Sequence, residues 1–200
     1  GVIPLARYAQ EPPSPAGFPQ RVLSFRRSVT QMYALKALSK MGPLLKPTLP
    51  VLLSLRGIPH GNSRCYLPRA IAAACDDPNI LLDCLKQFAK DHYQPVRADG
   101  LHYLGPCGHP DAIPILLNAL RSDTDKNVRI STIHALSSYG EAGEAGLLEA
   151  LSDPEPRARL CVLQYLVLID KPAIRARLTE ASKSDRSKKV RDAARQALCG

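Results

Sequence analysis

Four pairs of oppositely charged residues occur at one fixed spacing along the sequence. In each pair an aspartate is followed six residues later by an arginine: Asp91 with Arg97, Asp123 with Arg129, Asp153 with Arg159, and Asp185 with Arg191. A carboxylate beside a guanidinium can form a bidentate ion pair, or it can serve as an acid or base in catalysis. Because the spacing recurs four times in succession, we expect a repeated structural role and nominate none of these residues as catalytic.

Histidine and cysteine are the other residue types here that could bind a metal or act as nucleophiles. The histidines are His60, His92, His102, His109 and His134, and the cysteines are Cys65, Cys75, Cys84, Cys107, Cys161 and Cys199. No two cysteines form a CxxC pair, and most lie among leucines and alanines, where a free thiol behaves as a small apolar group. This pattern predicts free thiols in a reducing, intracellular setting.

The Asp–Arg pairs belong to a longer internal repeat with a period near 32 residues. Alignment on the residue before Arg129 gives six frames, whose zero positions are Thr30, Ser63, Val96, Val128, Ala158 and Val190. Positions 0, 4, 7 and 8 of each frame form one face of an α-helix, and positions 4 and 7 are mostly small, which allows another helix to approach closely. Position 12 is glycine at Gly42, Gly108 and Gly140, and this predicts helix ends with a positive φ.

A second helix is predicted between successive frames. The segments 48–55 and 112–120 match closely, with Pro50 and Pro114 in the first turn, where the missing N–H costs nothing. Residues 81–88, 146–151 and 174–181 occupy the equivalent places. Each unit is therefore predicted to be helix, short turn, helix, and stacking of these pairs would build the continuous core of a solenoid.

The predicted stack explains the Asp–Arg pairs. Asp123 precedes the second helix of its repeat and is expected to accept hydrogen bonds from the free N–H groups at the helix start. Arg129, in the first turn, can reach either the same carboxylate or the aspartate of the neighbouring repeat. Repetition would then form a ladder along the stack.

These features resemble HEAT repeats, in particular the short kind named after phycobilisome lyases, which read approximately D-x5-VR-x2-A-x2-AL-x3-G. Residues 91–108, 123–140 and 185–200 carry this pattern. The resemblance covers residues 28–200 and is strongest from 79 onward, whereas the frame at Thr30 lacks the Asp and Arg and the frame at Ser63 has Arg64 but no acid, with Pro68 intruding. It implies an all-α fold, a right-handed α-solenoid (superhelix) of about five to six HEAT-like helix pairs.

No enzymatic activity, metal or cofactor is predicted. The sequence contains no Walker loop, GxSxG or GxGxxG motif, and it lacks the His-Glu dipeptides with which one HEAT-like enzyme, deoxyhypusine hydroxylase, holds iron. His102 and His134 share position 6 of their frames, but stacked helices would hold them about 10 Å apart, too far for two ligands of one ion.

Positive charge is concentrated at the beginning of the chain. Residues 1–75 contain ten Lys and Arg against one acid, Glu11, whereas residues 76–170 contain eight basic and fourteen acidic residues. The prediction is a protein–protein interaction scaffold for an acidic partner, such as a cytoskeletal protein, located in the cytoplasm or on the cytoskeleton. The alternative is a nucleic-acid-binding solenoid that uses the basic residues 1–75, which would also allow a nuclear location.

Position 6 of the frames provides the candidate partner-binding residues, because it is polar throughout and follows the helices that line the concave face in HEAT proteins. With neighbouring cations included, the predicted site is Arg26, Arg27, Lys36, Lys40, Arg69, His102 and His134. Residues 1–20 contain five prolines and are predicted to form an extended segment. Residues 21–200 are predicted to form the repeat solenoid, as a fragment of a longer chain.

Overall fold

The computed structural model describes residues 20–57, 61–169 and 171–199, and their side chains from Val29 onward except that of Pro43. The predicted extended segment thus lies outside the described residues, apart from Gln20. The described chain is helical, and no helix in it is long and apolar enough to cross a membrane. It divides into two compact units, Gly1–His109 and Pro110–Gly200.

The first unit contains six α-helices in its described part: α1 Gln20–Leu38, α2 Leu49–Ser54, α3 Gly61–Arg64, α4 Leu67–Ala74, α5 Pro78–Phe88 and α6 Gln94–Cys107. Two 3-10 segments, Gly42–Thr48 and Leu55–Gly57, flank α2. Helix α4 packs on α1 and on α6, and α5 pairs with α6. The helices predicted at second place in their repeats, α1, α4 and α6, therefore lie side by side.

The second unit repeats the arrangement more regularly. Its helices are α7 Ala112–Ser122, α8 Lys126–Ser137, α9 Glu141–Ala150, α10 Pro156–Leu166, α11 Pro172–Ser184 and α12 Lys188–Cys199. Each first helix pairs with the second helix that follows it, and α8, α10 and α12 stack in order. This layering confirms the prediction of an all-α repeat fold built from helix pairs.

The apolar positions of the repeat form the core. The zero residues Val96, Val128, Ala158 and Val190 are fully buried. Position 8 is buried in five of the frames, at Leu38, Ile71, Leu104, Leu136 and Leu166. Burial of one large aliphatic side chain contributes about 1.5–3 kcal/mol, so the periodic face accounts for the stacking of the pairs.

Glycines set two local features of the fold. Gly42, Gly108 and Gly140 have positive φ values of 56°, 67° and 54°, which confirms the prediction from position 12. Helix α6 ends directly before Gly108. Gly100 occupies position 4 of its frame, and a Cβ there would lie 2.7 Å from Phe88 Cβ. Its missing side chain therefore permits the close approach of α5 and α6.

The frame at Ser63, in which Pro68 interrupts the sequence pattern, is irregular in the structure. Its second helix is broken, because α3 ends at Arg64 and α4 begins at Leu67 with Pro68 in its first turn. Proline favours the first turn of a helix and interrupts a continuous one. Ser63 and Arg64 remain buried despite the break.

Candidate functional site

Bidentate ion pairs of Arg64, Arg129 and Arg159 connect neighbouring repeats, and we call this series the ladder. Arg64 donates Nε and Nη2 to the Asp91 carboxylate at 3.0 and 2.9 Å. Arg129 binds Asp153 in the same way at 2.7 and 3.0 Å, and Arg159 binds Asp185 at 2.7 and 2.8 Å. Of the two alternatives predicted for Arg129, the structure thus shows the aspartate of the neighbouring repeat.

The six-residue spacing between aspartate and arginine reflects a hydrogen bond from the arginine to the main chain. Nη1 of Arg97, Arg129, Arg159 and Arg191 donates to the backbone carbonyl of the aspartate six residues earlier, at 2.6–3.1 Å. Arg64 has no such aspartate, but its ion-pair partner comes from the next repeat. An arginine without an acid in its own frame can therefore still form an ion pair with the next repeat.

The ladder aspartates bind turn N–H groups instead of the helix start, which corrects the expectation for Asp123. Asp123 Oδ1 accepts the N–H of Asp125 at 3.0 Å, and Asp91 and Asp185 accept equivalent N–H groups two residues on. The free N–H groups at the start of α8 go to Asp125, whose Oδ1 accepts from Asn127 and Val128 at 2.7 and 3.2 Å.

Burial and hydrogen bonding show that the ladder is structural. Arg159 is 2% exposed and Asp153 is 7% exposed. Burial acts to raise the pKa of Asp185, but the hydrogen bonds from Arg159 and the Ser187 N–H outweigh it and leave the pKa below its ordinary value. Among the described residues no buried side-chain nitrogen or oxygen lacks a hydrogen-bond partner. The ladder therefore offers no free group for a substrate.

A second set of contacts between repeats starts from position 6. In the first unit, the Lys36 ammonium lies 5.7 Å from the centroid of the Tyr66 ring, a cation–π distance. Burial raises the pKa of Asp99, and the charge of Arg69, the next position-6 residue, opposes that rise. Tyr66 and Asp99 both occupy position 3 of the frame that follows. Position 6 of one repeat thus faces position 3 of the next.

Burial dominates the electrostatics around Asp99. Desolvation raises the pKa of its carboxyl to about 6, against the opposing effect of Arg69. Burial is the main cause that raises the pKa of Tyr103 and of Cys65, and the charge of Asp99 acts in the same direction on both. Asp99 is therefore a carboxylate at pH 7 that carries a desolvation cost without forming an ion pair.

The second unit has an equivalent contact of different chemistry. His134, at position 6, forms a hydrogen bond through Nδ1 with the Tyr165 hydroxyl, and its Nε2 lies 3.5 Å from Cys161 Sγ. Burial raises the pKa of the Cys161 thiol to about 11 and lowers the pKa of His134. Both groups are therefore neutral at pH 7, whereas an activated cysteine would be a thiolate beside a cationic imidazole.

The structure separates the predicted site residues into three groups. Arg26 and Arg27 lie on α1, but their side chains are outside the described part of the chain. Lys36, Arg69 and His102 lie on the adjacent helices α1, α4 and α6, with exposed Lys40 just after α1. The remaining residue, His134, belongs to the second unit.

Sequence reasoning missed the residues that face the predicted ones. The missed residues are Tyr66, Asp99, Cys161 and Tyr165, together with Tyr103, whose ring meets His102 edge-on with centroids 5.0 Å apart. The available signal was position 3, which reads Tyr33, Tyr66, Asp99, Ser131, Cys161 and Ala193. No three His, Cys, Asp or Glu side chains converge as a metal site anywhere in the described ranges.

Comparisons with known proteins agree with the geometry. A family model described as HEAT repeats matches residues 81–146. The chain is similar to the complex of CpcE and CpcF of phycocyanin lyase from Nostoc sp. PCC7120, with 20% identity and a TM-score of 0.58 over 76% of this chain and 98% of that chain. It is also similar to an engineered protein, with 18% identity and a TM-score of 0.56 over 98% of this chain and 94% of that one. No curated protein matches. At such identities the solved structures establish the fold alone.

Proposed function

We propose, on the premise that this chain is a HEAT-repeat protein, that it is a non-enzymatic scaffold whose first unit binds an acidic protein partner. The proposed contacts are Lys36, Lys40 and Arg69, continued by Arg26, Arg27 and His102. His134 is their counterpart on the second unit. An acidic tail of a cytoskeletal protein fits this description, and it would place the protein in the cytoplasm or on the cytoskeleton.

One observation carries the proposal, namely that three cations of the first unit, on or directly after the adjacent helices α1 and α4, form no ion pair within the described part of the chain. No carboxylate among the described residues forms an ion pair with Lys36, Lys40 or Arg69. Three other cations of this unit do form ion pairs, because Arg64 is paired with Asp91, Lys46 with Asp76 and Lys86 with Asp83. Cations without acidic partners on one face attract an acidic partner by charge complementarity.

The neutral state of the His134–Cys161 contact supports a role without catalysis. The pKa of the Cys161 thiol is raised to about 11 by burial, so less than about one thiol in a thousand would be ionised at pH 7. The lyase named above remains the reason to test the enzymatic alternative. A bound chromophore or metal that copurifies with the protein would favour that alternative.

The test is a binding titration with three fluorescent probes: a 20-residue glutamate-rich peptide, a 20-base-pair DNA duplex and a 20-nucleotide single-stranded RNA. We expect the protein to bind the peptide most tightly. Lys36→Glu combined with Arg69→Glu should weaken peptide binding at least about tenfold, a loss of ~1.4 kcal/mol. The control carries the same charge change at Lys90 and Lys183, which are exposed and lie elsewhere.

Two results would contradict the proposal. Equal loss of binding in the control variant would show that net charge alone drives the interaction. Tighter binding of DNA or RNA, with a steep dependence on salt concentration, would show that the partner is a nucleic acid. Circular dichroism of both variants would confirm that their helices are intact.

A further inference from the structure

The polar face of the first unit carries a regular alternation of aromatic and charged residues. We use the name first-unit polar face for seven residues on α1, α4 and α6 and at the start of α4: Tyr33, Lys36, Tyr66, Arg69, Asp99, His102 and Tyr103. At about 100° per residue, positions 3 and 6 fall on one side of a helix, away from the buried positions 4 and 8, and position 7 lies at the border of that side, next to the buried position 0. Tyr33 is 59% exposed on this side.

The spacing of the cations follows from helix packing. Lys36 and Arg69 occupy the same position of consecutive repeats, on α1 and α4, which pack against each other. Packed helices lie about 8–10 Å apart, so equivalent backbone positions, from which these two side chains extend, repeat at about that distance. The Lys36 ammonium over the Tyr66 ring, three residues before Arg69, fits such a step.

A peptide in the polyproline II conformation matches this spacing. It has three residues per turn and rises about 3.1 Å per residue, so residues i and i+3 point the same way about 9.3 Å apart. A β-strand instead returns to the same face after two residues, about 6.6 Å, or after four, about 13 Å. Among extended chains, the threefold register of polyproline II is the one whose repeat falls within the 8–10 Å step between packed helices.

The tyrosines provide aromatic side chains against which the prolines of such a peptide can pack. Proline-rich segments in this conformation dock against aromatic side chains, because the preformed helix loses little entropy on binding. Tyr33 lies one turn before Lys36, and Tyr66 lies one turn before Arg69. Each helix therefore pairs one aromatic platform with one cation, which suits a segment that alternates prolines with acids.

From this geometry we infer that the first-unit polar face binds an acidic, proline-containing peptide segment in the polyproline II conformation, with carboxylates three residues apart on Lys36 and Arg69. The inference rests on the proposed function and names its ligand. Asp99 restricts the sequence of the bound peptide on the α6 side. Its carboxylate lies beside Arg69 and repels a further acidic residue of the peptide. The bound segment accordingly carries two acids in register and a neutral residue at the third step.

The test uses three 15-residue peptides of identical composition, with glutamates two, three or four residues apart in a background of proline and glutamine. Fluorescence anisotropy at low salt would give the affinities. We expect the peptide with threefold spacing to bind at least about tenfold more tightly than the other two. Lys36→Gln or Arg69→Gln should reduce this preference to about twofold or less, whereas Lys90→Gln should preserve it.

Two further variants distinguish specific recognition of the peptide from a general effect of net charge. Asp99→Asn, which removes the competing carboxylate without changing the size of the side chain, should strengthen binding of the threefold peptide. Tyr33→Ser should weaken binding of this peptide while leaving its salt dependence unchanged. The inference is overturned if all three spacings bind equally, or if the preference survives in Lys36→Gln and Arg69→Gln. Equal binding that still depends on Lys36 and Arg69 would preserve the proposed function alone, while binding that ignores both residues would remove both proposals.

Discussion

The ladder and the polar positions of the second helices both repeat along the chain, but the ladder repeats its chemistry whereas the polar positions repeat only their geometry. In the ladder the chemistry is constant, because Arg64, Arg129 and Arg159 each bind an aspartate of the next repeat through the same two nitrogens. At position 6 the geometry is constant while the chemistry changes. Lys36 faces a tyrosine, Arg69 an aspartate, and His134 a cysteine with a tyrosine.

This difference separates architecture from recognition within a single chain. A stack needs the same connection at every step, so identical rungs with buried, saturated groups serve the fold. A binding surface needs different groups at different steps, so the variable contacts of positions 3 and 6 suit specificity. The comparison predicts large stability effects for the ladder, and smaller effects or gains for the polar positions.

The largest effect is expected for Arg129→Ala. This change leaves the carboxylate of Asp153, which is 7% exposed, buried without its cation, and breaking such a pair costs about 3–5 kcal/mol. Urea unfolding followed by circular dichroism would measure the loss. The matched control is Arg121→Ala, because Arg121 forms an equally short bidentate pair with Glu149 in the same unit but at the exposed surface.

The control should leave the unfolding midpoint almost unchanged, since exposed ion pairs contribute little. Comparable losses in the two variants would mean that the geometry of the pair, rather than its burial, determines the stability. A destabilised Arg129→Ala protein that also loses peptide binding at a temperature where it is folded would give the ladder a direct role in recognition.

An intermediate effect of opposite sign is expected for Asp99→Asn. Because burial raises the pKa of Asp99 to about 6, the folded state holds its proton more tightly than the unfolded state does. The wild-type protein therefore loses stability as the pH rises from about 4 to 6, and the loss is complete above that window. The asparagine variant avoids the cost and should be more stable by about 1–2 kcal/mol at pH 7.5, with solvent screening considered.

Thermal unfolding of both proteins at pH 7.5 and pH 4.5 would check this prediction. The advantage of the variant should shrink by more than half at pH 4.5, where Asp99 is protonated in the folded state. Two aspartates of the ladder, Asp91 and Asp185, have the reverse dependence. The pKa of Asp185 is lowered, so its contribution is present above the unfolded pKa and lost at lower pH. An asparagine variant that is less stable than the wild type at pH 7.5 would show that the carboxylate contributes to folding.

The repeat could be predicted from the sequence because it depends on residues close together in the chain. Apolar positions 0 and 8 and the glycines at position 12 lie within one helix and its turn, and the structure confirms them. The rung partner of Arg64 could not be identified in this way. Asp91 lies 27 residues later, and only the stacking of the repeats brings the two side chains together.

The polar positions show the same limit more clearly. Position 6 drew attention because all its residues are polar, whereas position 3 mixes tyrosine, aspartate, serine, cysteine and alanine. Nothing local connects Lys36 with Tyr66, or His134 with Cys161. These contacts arise from the offset between neighbouring helices, which moves position 6 of one repeat next to position 3 of the following one.

The smallest effect is expected for His134→Gln in the second unit. Burial lowers the pKa of His134, so the unfolded state takes up a proton more readily, and this residue costs the folded protein stability as the pH falls below about 6.5. At pH 7.5 the variant loses one partly buried hydrogen bond to the Tyr165 hydroxyl and should be destabilised by about 0.5–1.5 kcal/mol. At pH 5.5 the difference in stability should narrow, because glutamine does not titrate.

Equilibrium unfolding at both pH values would measure this difference, with Gln164→Ala, at an exposed position-6 residue, as the control. A loss as large as that of Arg129→Ala would mean that position 6 also holds the stack together, and the distinction between a structural ladder and a polar face available for binding would then fail.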